Sequence, residues 1–275
     1  MSVVSSRYED GHKSSHGDSA LHGTVKTVMD SDWSHEESYK GFNAVALAHR
    51  NRLKHIINLF CDIQINDGGA LADFGCSNGY IISVLQNEVF QEKHWGFYGF
   101  DHTEHLLSKA KARNLPSSEF HFFDLNEVNQ DWKDSFDIVT CFETLEHTGD
   151  YRNAFVNLYT TCRKGGHVVL SIPNERGLPG ILKYITRKVM RRQSYGDFFH
   201  DKSEWEYVKA LILGRPIEVF RHPGAQGWGP HLGFDYKQLE EFILGNYVKQ
   251  GKMKTLFQGS SALNFTRLYV FRKLD

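Results

Sequence analysis

The sequence predicts a doubly wound α/β fold, in which a seven-stranded, mostly parallel sheet is joined by an N-terminal helix and an inserted lid. Two observations predict it. Short apolar segments of strand length alternate with segments of helical periodicity, which implies crossover connections between parallel strands covered on both faces. In addition, a glycine-rich turn, Asp73-x-Gly75-x-Ser77-x-Gly79, joins the first strand to the next helix.

The composition restricts the class of protein. A chain of 275 residues can bury the core of one large α/β domain. Lys and Arg number 32 against 33 Asp and Glu, so no global charge marks a nucleic-acid binder. Cys61, Cys76, Cys141 and Cys162 form no closely spaced pair, which argues against a zinc knuckle or a disulfide framework. No apolar run reaches the roughly 18 residues of a membrane span, and we expect a cytoplasmic protein.

The first part of the chain separates into an arm and a helix. Residues 1–32 are rich in Ser, His, Gly and Asp, which predicts a flexible arm before a single domain over residues 33–275. Apolar positions then recur at steps of three and four, the spacing of one helical face. They are Phe42, Val45, Ala46, His49, Leu53, Ile56, Ile57 and Phe60. We therefore expect a long helix that packs onto the sheet.

The remaining elements follow from alternating apolar segments. We predict strands over 70–74, 96–100, 120–123, 136–141 and 167–172, and helices over 80–89, 104–112, 152–162 and 237–244. Segments 252–258 and 264–272 resemble two strands joined by Gly259-Ser260-Ser261, which predicts an antiparallel hairpin at the edge of the sheet.

Three acidic residues follow successive strands. Asp73 ends the first strand within the glycine-rich turn, where the backbone can approach a ligand closely. Asp101 closes the second strand, where a carboxylate can accept hydrogen bonds from both hydroxyls of a ribose. Asp124 closes the third strand, where it can accept from an adenine amino group beside the backbone of Leu125. The pattern predicts a nucleoside site at one edge of the sheet.

Over roughly residues 70–272, these features resemble the class I S-adenosylmethionine (SAM)-dependent methyltransferase family. The family has glycine where this chain has Ser77. The resemblance implies that the turn holds the methionine part of SAM, with Asp73 near its amino group. It places Gly75, Cys76 and Gly79 at the methionine end, Asp101 and His102 at the ribose and Asp124 and Leu125 at the adenine, and Cys141 is also assigned to the cofactor site.

A nicotinamide dinucleotide enzyme is the competing interpretation, because it uses a similar turn to hold a pyrophosphate. Asp73 argues against it. A carboxylate at this position repels a pyrophosphate, whereas it can hold the cationic amino group of SAM.

A second motif, Glu143-x-x-Glu146-His147, follows the fourth strand, and on a helical turn its three side chains share one face. It resembles the motif of ubiquinone-biosynthesis O-methyltransferases and of small-RNA 2′-O-methyltransferases. That resemblance implies a divalent cation bound by Glu143, Glu146 and His147, with His231 as a fourth ligand; Mg²⁺, Mn²⁺, Fe²⁺ and Zn²⁺ all suit such a set. The alternative is a metal-free site in which His147 is a general base.

Residues 175–230 form the predicted lid over the acceptor. Within it, Leu178, Ile181, Leu182, Ile185 and Val189 define an apolar stripe, and Lys183, Arg187, Lys188 and Arg191 fall mostly away from it. Segment 178–192 is therefore either a surface helix with solvated cations, or a contact with an anionic membrane or anionic acceptor.

We expect SAM-dependent methyl transfer to an oxygen of a small-molecule or lipid-like acceptor. Two alternatives stay open: an RNA 2′-O-methyltransferase, and a SAM-binding protein without catalysis. A nucleic-acid partner is the weaker expectation, because no RNA-binding module is evident in the sequence.

Overall fold

The computed structural model describes residues 36, 39, 44–63, 65–128, 130–189, 203–221, 232–261 and 264–275. The predicted arm over residues 1–32 and the predicted metal ligand His231 lie outside the described residues. Parts of the predicted lid, 190–202 and 222–230, also lie outside them.

The described elements alternate along the chain as the apolar segments predict. The strands are β1 (Gly69–Phe74), β2 (Trp95–Asp101), β3 (Ser118–Phe122), β4 (Phe136–Phe142), β5 (Cys162–Pro173), β6 (Met253–Ser260) and β7 (Thr266–Lys273). The α-helices are α1 (Ala44–Asp62), α2 (Tyr80–Glu88), α3 (Glu104–Ala112), α4 (Tyr151–Thr161), α5 (Gly177–Val189), α6 (Glu204–Ile212) and α7 (Tyr236–Ile243). Short 3₁₀ turns cover Leu145–His147 and Glu218–Phe220.

The seven strands form one sheet in the order β3-β2-β1-β4-β5-β7-β6. The pairs from β3 to β5 are parallel, and β7 is antiparallel to both β5 and β6. The predicted seven-stranded, mostly parallel sheet with a terminal antiparallel hairpin is confirmed. In the register, Asp73 of β1 lies opposite Gly99 of β2 and Thr140 of β4. The carboxyl ends of β1, β2 and β4 therefore meet at one edge of the sheet.

Two apolar layers cover the sheet, because neighbouring residues of a strand point to opposite faces. Leu71 and Ile138 belong to the layer that contains α1, α2 and α3. Ala72 and Val139, each one residue later, belong to the layer that contains α4 and α7. Strands buried on both faces read as continuous apolar runs, which is why the sequence locates them well.

Element boundaries differ from the prediction where polar residues continue a strand. Strand β5 begins at Cys162 rather than residue 167, so the polar stretch Arg163-Lys164-Gly165-Gly166 lies within it. The helix predicted over 237–244 begins at Tyr236, where the Asp235 carboxylate caps it by accepting from the Lys237 amide, and it continues into a π-helical turn over Leu244–Val248.

Among the helices of the described residues, none combines the length and apolarity that crossing a bilayer requires.

Candidate functional site

The turn between β1 and α2 is held tightly against β2. Gly75 and Gly79 have φ angles of 81° and 74°, which glycine adopts without a steric penalty. The amides of Gly75 and Cys76 both donate to the Phe100 carbonyl, at 2.7 and 3.0 Å. Ser77 also has a positive φ, 52°, where the resembled family has glycine. Serine therefore occupies a left-handed position at some cost in backbone strain.

Gly75 also brings a second loop close to this turn. A Cβ atom placed at Gly75 would lie 2.1 Å from the Thr144 hydroxyl oxygen. Because no side chain fits there, the loop that follows β4 packs directly on the β1–α2 turn. The Glu143–His147 segment is thereby adjacent to the predicted cofactor turn.

Asp101 anchors the turn from the end of β2. Its carboxylate accepts a hydrogen bond from the Ser77 amide at 2.8 Å and another from the Thr103 amide at 2.9 Å. Since a carboxylate has about four accepting positions, capacity remains for ligand hydroxyls. His102 Nδ1 lies 3.6 Å from an Asp101 oxygen. Burial lowers the pKa of His102, and the nearby carboxylates of Asp101 and Asp124 oppose that shift.

Asp124 and Leu125 lie just beyond β3. One Asp124 oxygen accepts from the backbone and side-chain amides of Asn126, at 2.9 and 3.0 Å. The Leu125 carbonyl accepts from the Asn157 side chain of α4 at 3.0 Å. The segment is therefore tied down on both sides. The carboxylates of Asp101 and Asp124 both act electrostatically on His102. The residues predicted to bind the ribose therefore lie near Asp124, which is predicted to bind the adenine.

Asp73 is buried beside the same cluster. Thr140 of β4 donates to its carboxyl group at 2.7 Å. Burial raises the pKa of Asp73 to about 7, the Thr140 hydrogen bond opposes this, and the neighbouring Asp101 charge adds to it. The group therefore titrates near neutrality, and a cationic ligand nearby would favour its charged form.

The side chains of Cys76 and Cys141 do not line a ligand site among the described residues. Cys76 is 1% exposed and Cys141 is 0% exposed, and burial raises the pKa of both thiols well above the ordinary value. The Cys76 sulfur packs against Gly99 in β2. Cys76 and Cys141 can therefore contact a cofactor, as predicted, only through their backbone atoms.

The prediction that Glu143, Glu146 and His147 share one helical face is wrong. Glu143 has a φ of 50°, so it belongs to a turn before the 3₁₀ segment Leu145–His147. Glu146 is buried, whereas the His147 side chain is 36% exposed, and His147 Nε2 lies 3.9 Å from a Glu146 oxygen. Burial, followed by the Glu143 carboxylate, raises the pKa of Glu146 well above its ordinary value. The protonated form of Glu146 is therefore favoured relative to that of an exposed glutamate.

A basic residue that the sequence interpretation missed lies beside these carboxyl groups. Arg52 of α1 places Nη1 3.2 Å from Glu143 Oε2 and donates from Nη2 to the Tyr39 hydroxyl at 2.9 Å. Burial, followed by the positive charges of Arg52 and Lys183, lowers the pKa of His49 to about 4. A signal existed in the sequence, because Arg52 lies three residues after His49 on the buried face of the helix.

The residues present do not fit the divalent metal that the resemblance implies. Within the described ranges, no three or more His, Cys, Asp and Glu side chains group together as a metal-binding set, and His231 lies outside those ranges. Glu143, a predicted ligand, forms an ion pair with Arg52 instead.

Helix α5 forms as predicted, but two of its cations point inward. Glu175, which is 0% exposed, accepts from Lys183 at 3.1 Å and from both terminal nitrogens of Arg187 at 2.9 and 3.0 Å. The interpretation of this segment as a surface helix with solvated basic side chains is therefore wrong for Lys183 and Arg187. The apolar residues Leu178 and Leu182 are 67% and 44% exposed.

Two residues before α1 also contact the β1–α2 turn, and the sequence interpretation assigned them no role. Glu36 accepts a hydrogen bond from the Asn78 side chain at 3.1 Å and pairs with Arg113. The Tyr39 ring packs on the Tyr80 ring, with centroids 5.2 Å apart. Glu36 and Tyr39 thus pack beside the predicted cofactor turn.

Comparison with known proteins gives consistent results. A family model described as a methyltransferase domain matches residues 46–212. The ubiquinone biosynthesis O-methyltransferase of Pseudomonas fluorescens (strain SBW25) is 24% identical over 145 residues, which are 52% of this chain and 57% of that protein. The tRNA U34 carboxymethyltransferase of Helicobacter hepaticus is 30% identical over 113 residues, which are 38% of this chain and 35% of that protein. The chain thus spans little more than half the length of the first relative.

Among solved structures, magnesium protoporphyrin IX methyltransferase from Synechocystis PCC 6803 with bound SAH has a TM-score of 0.53 and 15% identity. The likeness covers 86% of this chain and 92% of that chain. At this identity, the likeness shows a shared fold.

The position of Asp73 predicts a pH dependence of SAM binding. A protonated Asp73 is neutral, so it must lose its proton before it can attract the ammonium group of SAM. The SAM dissociation constant should therefore increase as pH falls below about 7, by up to about tenfold per pH unit. Calorimetric titration between pH 5.5 and 7.5 measures this. In Asp73→Asn the dependence in this interval should vanish, and an unchanged profile in that variant would contradict the assignment.

The contact between Gly75 and Thr144 predicts a severe effect of Gly75→Ala. The new Cβ atom would collide with the Thr144 side chain, so SAM affinity should fall at least about tenfold and the midpoint of thermal unfolding should decrease. Gly165→Ala is the matched control, because Gly165 has a similar φ of 79° but no atom within 4 Å of the added carbon. Equal effects of both substitutions on SAM binding would show that backbone strain, rather than the loop contact, is responsible.

Proposed function

The chain belongs to the methyltransferase family and is a class I SAM-dependent methyltransferase. From this premise, we propose that it methylates an oxygen of a small-molecule or lipid-like acceptor. The ubiquinone biosynthesis relatives support the oxygen as the accepting atom, through the reaction in their name. The matched region covers only part of those relatives, so the acceptor is argued from the residues of this chain.

One observation carries the proposal: the Gly75–Thr144 contact sets the Glu143–His147 segment against the predicted cofactor turn. In this arrangement the partly exposed imidazole of His147 follows β4, and the side chains of Asp73 and Asp101 lie at the carboxyl ends of β1 and β2. A methyl group held by the turn and an acceptor beside His147 would then be neighbours.

The chemistry needs alignment and a proton acceptor. The methyl carbon of SAM is electrophilic, so the acceptor oxygen attacks it in line with the carbon–sulfur bond, and the electrons of that bond pass to sulfur. The acceptor loses its hydroxyl proton, which we assign to the His147 imidazole as general base.

The RNA alternative has some support from the tRNA U34 carboxymethyltransferase relative. Two features favour a small molecule over RNA. The chain has a net charge of −1, and Lys183 and Arg187 on α5 both form ion pairs with the buried Glu175. Phosphate backbones are bound mainly by cations that remain free to reach them. RNA methylation is therefore an outcome that the acceptor screen below can reveal.

An acceptor screen tests the proposal. Labelled SAM is incubated with the purified chain and with phenols, sugars, lipid-linked hydroxyl compounds or single-stranded RNA. We expect transfer to a hydroxyl compound, and His147→Gln should lower kcat at least about 100-fold while SAM binding stays unchanged. His121→Gln is the control, because His121 is a partly exposed histidine on β3 that pairs with Glu119. Transfer to RNA alone would favour the first alternative, and SAM binding without any transfer would favour a non-catalytic protein.

We also propose that α5 contacts a lipid surface, as the apolar stripe of segment 178–192 indicates. Residues 190–192 lie outside the residues that the structure describes. Leu178, Leu182 and Ile185 are 67%, 44% and 50% exposed, and their spacing puts them on one side of the helix. Since Lys183 and Arg187 are bound to Glu175, apolar burial would contribute more to this contact than attraction to anionic lipid. A cytoplasmic location remains a prediction and is compatible with such a peripheral contact.

Vesicle sedimentation tests the lipid contact. Leu182→Glu should weaken binding to vesicles that contain anionic phospholipid at least about tenfold, because burying one leucine contributes about 1.5–3 kcal/mol. Leu256→Glu is matched to it, since Leu256 is 46% exposed but lies on β6. Absence of binding by the unsubstituted chain at low salt, or equal losses in the two variants, would contradict the contact.

A further inference from the structure

Arg52 is a buried cation fixed in position beside the Glu143–Glu146 pair. Its side chain is 6% exposed, and Nη1 lies 3.2 Å from Glu143 Oε2. The Tyr39 hydroxyl accepts from Nη2 at 2.9 Å, and the guanidinium carbon lies 5.8 Å from the centre of the Tyr39 ring. Three contacts of different kinds therefore hold the guanidinium group where it pairs with Glu143.

The two glutamates retain accepting capacity. Glu143 Oε1 and Glu146 Oε2 are both buried, and neither accepts a hydrogen bond from the residues that the structure describes. Oxygen atoms of this kind attract cations, which is why the motif resembles a metal site. A positive group near these oxygen atoms is therefore needed to offset the charge of the pair.

The positive charges already present disfavour a second cation. A divalent ion bound to Glu143 would lie within a few ångströms of a guanidinium that stays charged at all physiological pH values. Lys183 adds a further positive charge that acts on Glu146. A divalent ion would thus gain two carboxyl oxygens but would be repelled by the fixed guanidinium of Arg52.

We infer that Arg52 is the resident cation of the Glu143–Glu146 pair, and that this chain carries out its reaction without a divalent metal at these residues. The statement about the reaction rests on the proposed function; the statement about the cation does not. Arg52 acts as a positioning residue, because it holds Glu143 in the turn before His147.

Manganese titration of the chain tests the inference directly, with free Mn²⁺ followed by electron paramagnetic resonance. The unsubstituted chain and Arg52→Lys both keep a cation at this position and should leave the Mn²⁺ signal unchanged. Arg52→Gln removes the charge and exposes the pair, so its apparent Mn²⁺ affinity should be at least about tenfold higher. The added substitution Glu143→Gln should abolish that gain, which shows that the new site lies at the pair.

The result does not depend on one variant. Thermal unfolding and SAM titration establish whether Arg52→Gln folds. If it does not, the comparison of the unsubstituted chain with Glu143→Gln decides, because Mn²⁺ binding by the former that disappears in the latter overturns the inference. A folded Arg52→Gln that gains no Mn²⁺ affinity overturns it as well, since the pair is then not a cation site.

Activity separates this inference from the proposed function. With an acceptor from the screen, the unsubstituted chain treated with EDTA should retain its full turnover, and a loss that Mn²⁺ or Mg²⁺ restores would contradict the inference. If the screen finds no acceptor, the proposed function fails, while the Mn²⁺ titrations still establish whether Arg52 occupies the cation position.

Discussion

Crowding of buried carboxyl groups at the carboxyl edge of the parallel sheet is the constraint on which the site depends. Asp73 and Asp101 follow adjacent strands, and Glu143 and Glu146 follow the next strand. Charged groups this close repel one another in a medium that screens poorly. The protein offsets the repulsion with backbone amides at Asp101 and with an arginine at Glu143, and burial raises the pKa of Glu146. Asp73, with a pKa of about 7, is left poised for a cationic ligand.

The same constraint explains how distant segments are attached to the site. Helix α1 brings Arg52 to Glu143, and α5 brings Lys183 and Arg187 to the buried Glu175 that follows β5. A buried carboxylate without a partner costs several kcal/mol, so each of these contacts ties its helix to the sheet edge. In consequence, α5 turns cations inward and leaves its leucines in solvent, which is the reverse of an ordinary surface helix.

Much of the fold follows from the sequence because its signals are local or periodic. Strands β1 and β4 are buried on both faces and read as apolar runs, and α3 was predicted with its observed bounds, Glu104–Ala112. The glycine turn and the acids after β1, β2 and β3 could be placed at one edge by the rule that parallel strands end together. Polar continuations such as 163–166 in β5 have no such signal, and they lie where the pairing of β5 with β4 passes irregularly from Cys162 to His167.

The sequence by itself determined the class of sheet and the family, since spacing and chain order suffice for those, and it predicted which residues lie near a nucleoside. Only the tertiary structure decided how the charges are paired. Arg52 and Glu143 are far apart in the chain, so no spacing rule links them, and only the packing of α1 against the sheet brings them to 3.2 Å. Likewise, Glu143 left the expected helical face because its backbone turns at a positive φ. Side-chain partners across the fold depend on three-dimensional packing, which local propensity does not encode.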